Sequence, residues 1–79
     1  MDVERMVEAL EYLKEARDEM LDATYKLEGV CFALEGAVKN DPDLRLRRLY
    51  EKVEKMLDEA HLVRKRILEM IDEYERILS

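Results

Sequence analysis

Apolar residues recur at intervals of seven positions along almost the whole chain. The stripe consists of Met6, Leu13, Met20, Leu27 and Leu34 in the first half, and of Leu46, Val53, Ala60, Ile67 and Tyr74 in the second. A strict seven-residue repeat indicates long α-helices that coil around each other with a left-handed twist. The composition agrees, because 43% charged and 6% aromatic residues are typical of long-helix proteins.

One short segment, KNDPDL at residues 39–44, interrupts this pattern. Asn40 suits the left-handed conformation that often ends a helix. Asp41 is a good N-cap, and Pro42 fits the first position of a following helix. Asp43 would then add negative charge to the first turn, where the helix dipole favours it. The segment therefore predicts a tight turn between two helices.

The predicted fold is an all-α antiparallel two-helix hairpin that forms a single domain over residues 1–79. Helix 1 is expected over about 2–39, the turn at 40–41 and helix 2 over about 42–78, and the short connection makes them antiparallel neighbours. Folding back at residue 40 sets the two stripes opposite each other, with Leu34 facing Leu46 and Met20 facing Ala60. A second stripe of small residues accompanies the first in helix 1 and is expected to lie in the contact, where it lets the two helices approach closely. It consists of Ala9, Ala16, Ala23, Val30 and Ala37.

A single hairpin of 79 residues gains little from its own core, and its one cysteine allows no internal disulfide. The apolar arc of helix 2 spans roughly 200° of the helical wheel, whereas one partner helix covers only about 100°. The uncovered strip predicts a two-fold dimer of hairpins, which forms a coiled-coil-like four-helix bundle. The predicted interface residues are Leu49, Tyr50, Met56, Leu57, Val63, Leu68, Met70, Ile71, Ile77 and Leu78.

The hairpin with layers of large and small residues resembles the Rop-like homodimeric hairpins. That resemblance implies self-association into four helices. The RNA-binding role of that family is not expected here, because residues 1–40 carry ten acidic and five basic side chains and the net charge is −6. An acidic surface repels phosphate, so we expect no nucleic-acid partner.

The segment LEGVCFALEGAV, residues 27–38, places two glycines inside helix 1 at a cost of roughly 0.5–1 kcal/mol each relative to alanine. With their neighbours they form an outer face that comprises Leu21, Tyr25, Gly29, Phe32 and Gly36. The glycines are either tolerated on an ordinary surface, or they admit a close-packed partner helix anchored by the aromatic residues, or they form a floor for a flat ligand.

The triplet LEG occurs at residues 27–29 and again at 34–36, just before the turn. The second copy is similar to the small-residue motif near the turn of secreted helical hairpins of the Trp-x-Gly type. This resemblance implies a partner or substrate of specialised secretion. The chain lacks tryptophan, and Tyr74 is followed four residues later by Leu78, where that family's tail signal has an acidic residue.

Asp58 and His61 are three positions apart on helix 2, and Glu54 lies one turn earlier. Such spacing makes Asp58 and His61 a metal-site candidate, while a solvated helix face is the alternative. In a dimer, two copies of His61 could approach each other and hold metal or haem, or sense pH. The string DEAH at residues 58–61 matches a helicase signature by accident, since the chain has no glycine-rich phosphate loop.

Arg17 and Arg64 fall within the apolar arcs. Each is expected to lay its stem along the core while the guanidinium reaches water or a carboxylate. A polar layer that fixes the register of the bundle and an anion site between the two are the alternatives. Cys31 is expected to be a small core residue.

These features favour a non-enzymatic interaction or assembly module without a resident cofactor, whose partner is a second copy or another helical protein. No apolar run approaches the ~20 residues of a membrane span, and the N-terminus lacks a signal-peptide pattern, so a cytoplasmic location is expected. The absence of glutamine and the abundance of helix formers fit a heat-adapted protein or an engineered bundle. An engineered bundle with a ligand, metal or haem near His61 is thus an alternative.

Overall fold

The computed structural model describes residues 2–79, which form an all-α helical hairpin, as predicted. Helix α1 spans Val3–Asn40 and helix α2 spans Leu44–Leu78. The two lie side by side in a rod of 57 × 15 × 14 Å. Only the connection and the two ends of the described chain lie outside helices.

Helix α1 is closed at both ends by its own polar groups. The Asp2 carboxylate accepts a hydrogen bond from the backbone N–H of Arg5 at 3.3 Å. At the other end, the side-chain amide of Asn40 donates to the carbonyl of Gly36 at 2.7 Å, and the N–H of Asp41 donates to the carbonyl of Ala37 at 2.9 Å. Within residues 2–79 no residue has a positive φ, so the expected left-handed conformation of Asn40 was wrong.

Asp43, rather than Asp41, is the N-cap of α2, and helix 2 starts later than the predicted residue 42. The Asp43 carboxylate accepts from the N–H of Arg45 at 2.8 Å and from its guanidinium at 2.7 Å. Proline disfavours the helical conformation in the residue before it, and Asp41 is accordingly extended, with φ −139° and ψ 107°. Asp41 is the C-cap of α1, Asp43 is the N-cap of α2, and Pro42 lies between them in the turn.

This longer connection moves the centre of the turn to residue 42, midway between Asn40 and Leu44. Positions equidistant from residue 42 lie at the same height in the rod, which replaces the predicted symmetry about residue 40. Thr24 and Ala60 form such a pair, and they are 2% and 7% exposed. The buried Thr24 hydroxyl is satisfied by its own helix, because it donates to the carbonyl of Leu21 at 2.7 Å.

The contact between the helices, which we call the seam, follows spacings of three and four along both. Every position in it is buried or half-buried. In α1 the seam consists of Met6, Leu10, Leu13, Arg17, Met20, Thr24, Leu27, Cys31, Leu34 and Val38. In α2 it consists of Leu46, Tyr50, Val53, Leu57, Ala60, Arg64, Ile67, Ile71, Tyr74 and Leu78. The two predicted stripes at intervals of seven thus lie in the seam.

Candidate functional site

A row of large apolar side chains on α2 remains exposed beside the seam. Each member comes one position before a seam residue. The members are seven positions apart, so the row runs the length of the helix. The exposed fractions lie between 44% and 48%. The row consists of Leu49, Met56, Val63, Met70 and Ile77.

Helix α1 carries a corresponding row of small residues, also one position before seam residues. It consists of Ala9, Ala16, Ala23, Val30 and Ala37. The sequence placed this row inside the hairpin contact, whereas the second seam stripe of α1 is the one that contains Thr24 and Cys31. Val30 is 45% exposed and Ala16 is exposed as well.

One ion pair and one further contact between polar side chains show that these rows lie on the same side of the hairpin. Lys14 Nζ is 3.6 Å from Glu75 Oε1, and His61 Nε2 is 3.8 Å from Glu28 Oε1. All four residues come one position after a seam residue. The positions that follow seam residues in α1 and in α2 therefore lie on the same side of the hairpin. The positions that precede seam residues in the two helices must then lie together on the other side. The two rows therefore form one continuous surface, which we call the apolar face.

The predicted interface set divides between three surfaces in the structure. Tyr50, Leu57, Ile71 and Leu78 lie in the seam, where α1 covers them, and Ile71 is only 5% exposed. Leu68 lies on the side of the hairpin that carries Lys14, Glu75, Glu28 and His61, which we call the ion-pair flank, and is 39% exposed. The other five members are the α2 row of the apolar face. The wide arc of α2 predicted in the sequence includes the side chains that its own hairpin partner covers.

The outer face of α1 is open to solvent around its aromatic residues. Tyr25 and Phe32 are 64% and 79% exposed, Gly29 is exposed, and Leu21 and Gly36 are half-buried. A Cβ atom added at either glycine would meet no neighbouring atom within 4 Å. The hairpin itself therefore does not require glycine at these two positions.

Carboxylates gather near the turn-proximal part of the ion-pair flank. Burial raises the pKa of the Cys31 thiol, and the nearby Glu54, Asp58 and Glu28 raise it further. Burial also raises the pKa of Tyr50, with added contributions from Glu54 and Glu35. Burial, together with these carboxylates, favours the protonated thiol of Cys31, which is a poor nucleophile.

The candidate metal ligands are not brought into a cluster. Among residues 2–79, no group of three or more histidine, cysteine, aspartate or glutamate side chains is placed to hold a metal ion. The acid paired with His61 is Glu28 of the other helix rather than Asp58. His61 lies on the ion-pair flank, across the hairpin from the apolar face.

The two arginines of the apolar arcs differ in their surroundings. Arg17 Nε donates to Asp18 Oδ1 at 3.0 Å, so its head reaches a carboxylate at the surface, as expected. Arg64 Nε is buried and has no hydrogen-bond acceptor within the described part of the chain. The Arg17 guanidinium is thus paired with a carboxylate rather than with an anion shared with Arg64.

Neither α1 nor α2, over residues 2–79, is long and apolar enough to cross a membrane. Comparison of the chain with models of known protein families, with curated proteins and with solved structures gives no match. The apolar face, with its exposed row of large side chains, is therefore the structural feature that bears most on function.

Proposed function

We propose that this chain is a non-enzymatic assembly module in which two hairpins join their apolar faces to form a four-helix bundle. The observation that supports this proposal is the asymmetry between the two flanks of the hairpin. One flank carries mainly polar side chains, two pairs of which approach each other across the helices, with Val7 and Leu68 as exposed apolar members. The other flank exposes an unbroken row of large apolar side chains along its length. Large exposed apolar surfaces of this kind are typical of interaction sites.

The apolar face is long enough for an extended interface. Its α2 row runs the length of a rod that measures 57 Å. A second hairpin laid along this side would therefore cover the apolar face over its whole length. Burying it would also offset the marginal core of a chain this short.

The charges that border the face favour a second copy as the occupant. Along the outer edge of α1 stand Glu19 and Lys26, and along that of α2 stand Glu59 and Arg66. The two charges named on each edge are opposite in sign, so a copy related by a two-fold axis can meet each of these four with its opposite. Lys26 also contacts Asp22 of its own helix at 3.0 Å. Such exposed pairs contribute at most ~1 kcal/mol each, and they favour the correct register.

Two adjacent residues of α2 provide a matched test of the proposal. Val63 lies on the apolar face and is 48% exposed, whereas Leu62 lies outside it and is 63% exposed. We expect the melting temperature of the wild type to rise with protein concentration, because association stabilises the folded state. Val63→Glu should abolish that dependence, and Leu62→Glu should retain it. Equal behaviour of the two variants would contradict the proposal.

A second proposed function is capture of a cationic helix at the outer face of α1. The favouring observation is the strong exposure of Tyr25 and Phe32 next to the carboxylates that surround Cys31 and Tyr50. Aromatic anchors with complementary charge are typical of helix-binding surfaces. A lysine-rich amphipathic peptide should bind the wild type and Leu62→Ser alike, and Phe32→Ser more weakly. Equal affinity for all three proteins would exclude this role.

Replacing both glycines tests whether that partner packs closely on α1. Gly29→Leu combined with Gly36→Leu would fill the open space beside the aromatic residues. Peptide capture should then weaken while the helix content stays the same. Unchanged capture together with higher stability would mean that the glycines are merely tolerated.

A further inference from the structure

The apolar face has two unequal halves, and their inequality bears on how a second copy is seated. The α2 half consists of leucine, methionine, valine and isoleucine, and the α1 half of four alanines and Val30. We infer that the α2 half of each copy packs on the α1 half of the other, so that both turns lie at the same end of the bundle. This inference rests on the proposed self-association.

Two symmetric arrangements bring the faces together. A two-fold axis that relates facing surfaces must lie in the plane between them. If it runs along the rod, α1 lies over α2 of the partner subunit and the two turns stay at one end. If it runs across the rod, each helix lies over its own copy and the two turns lie at opposite ends.

Side-chain size favours the axis along the rod. The distance between packed helix axes varies from about 8 to 10 Å with the side chains at the contact. With the axis across the rod, alanines would meet alanines on one side, and large side chains would meet each other on the other side. The two contacts would then need unequal spacings, at the cost of voids or strain. With the axis along the rod, both contacts combine a large row with a small row and have equal spacing.

The heights of the residues agree with this seating. Ala23 and Val63 are nearly level in one hairpin, since they stand at equal distances from residue 43, close to the turn centre. An axis along the rod preserves height, so Ala23 would also be level with Val63 of the partner subunit. The bordering charges would pair as Glu19 with Arg66 and Lys26 with Glu59. Charges of opposite sign also meet in the other arrangement, so it is the side-chain sizes that distinguish the two.

Distances between spin labels test the inference. The first label is placed at the turn through Asp41→Cys and the second at mid-height through Leu62→Cys, each in a Cys31→Ala background. Circular dichroism checks that the background retains its helices, and Cys31→Val is used if it does not. Electron–electron dipolar spectroscopy then gives the distance between the two copies of each label.

Turns at the same end predict an Asp41→Cys distance of about 30 Å or less, given helix spacings of about 10 Å. Turns at opposite ends would separate these labels by nearly the 57 Å length of the rod. The mid-height label should give a short distance in both arrangements. A short mid-height distance with a long turn distance would overturn this inference and leave the dimer intact. No intermolecular distance at either site would overturn the proposed self-association as well.

Discussion

Gly29 and Gly36 each lower the stability of α1 relative to alanine, although the hairpin does not require glycine at either position. Both lie inside α1 with ordinary helical backbone, and neither has a neighbour within 4 Å of an added Cβ. Gly29→Ala and Gly36→Ala should therefore each raise the free energy of unfolding by about 0.5–1 kcal/mol. Urea denaturation measures the change, and the reverse substitution at exposed Ala33 should lower stability by a similar amount. A loss of stability in the alanine variants would show that the glycines serve a close contact.

Asp43 should make the stability of the hairpin depend on acid pH. Its hydrogen bonds with the side chain and backbone of Arg45 hold the pKa of its carboxyl below the usual value. The stabilisation is then fully present above the unfolded pKa of about 3.9 and is lost as the pH falls through the lowered folded pKa. Asp43→Asn keeps a capping oxygen but does not titrate.

Thermal unfolding of both proteins from pH 6 to pH 2 tests this prediction. The melting temperature of the wild type should exceed that of Asp43→Asn near neutral pH, and the difference should shrink as the pH falls. A difference that stays constant over this range would mean that the ionised carboxylate of Asp43 contributes no stability to the turn.

At the scale of the helices, the seam is most completely covered where Thr24 and Ala60 share a height. Both are nearly inaccessible, at 2% and 7% exposure, so the space beside Ala60 is filled. Ala60→Leu should force the helices apart and lower the free energy of unfolding by about 1–3 kcal/mol. The same change at exposed Ala33 should stay within about 0.5 kcal/mol. Equal effects on the denaturation midpoint would contradict this register.

The two long helices and the central stripes of the seam could be predicted because the seven-residue repeat is strong. The residue at which α2 starts could not be predicted from the sequence, since Asp41 and Asp43 are equally good N-caps by residue type. The choice is visible only in the structure, where the N–H of Asp41 closes α1 and the carboxylate of Asp43 accepts from the N–H of Arg45. Sequence alone also could not say which edge of the wide apolar arc of α2 would be covered by α1.

Only half of the apolar face could be predicted from the sequence, for the same reason. Its α2 row belongs to the predicted interface, whereas the pattern places its α1 row in the contact between the helices. The side on which the flanks meet becomes visible only through the pairs Lys14–Glu75 and Glu28–His61. Arg17, Thr24 and Cys31 alternate along α1 with the stripe of large apolar residues. Together they give the spacings of three and four that the seam follows.

At the scale of the whole molecule, the hairpin is a thin rod with little interior. Among residues 2–79, the buried side chains are Thr24, Val53, Ala60 and Ile71. A chain of this size with so small a core gains most from covering further apolar surface. Self-association along the apolar face would supply that coverage without using His61 or the ion-pair flank.

The absolute mass of the wild-type protein in solution tests this account most directly. Light scattering across a dilution series, with circular dichroism on the same samples, gives the mass and the helix content together. We predict a helical particle of twice the 9.4 kDa chain mass, which loses mass and helix together on dilution. A fully helical particle of single-chain mass at every concentration would contradict the proposal, because the apolar face would then be stable in water.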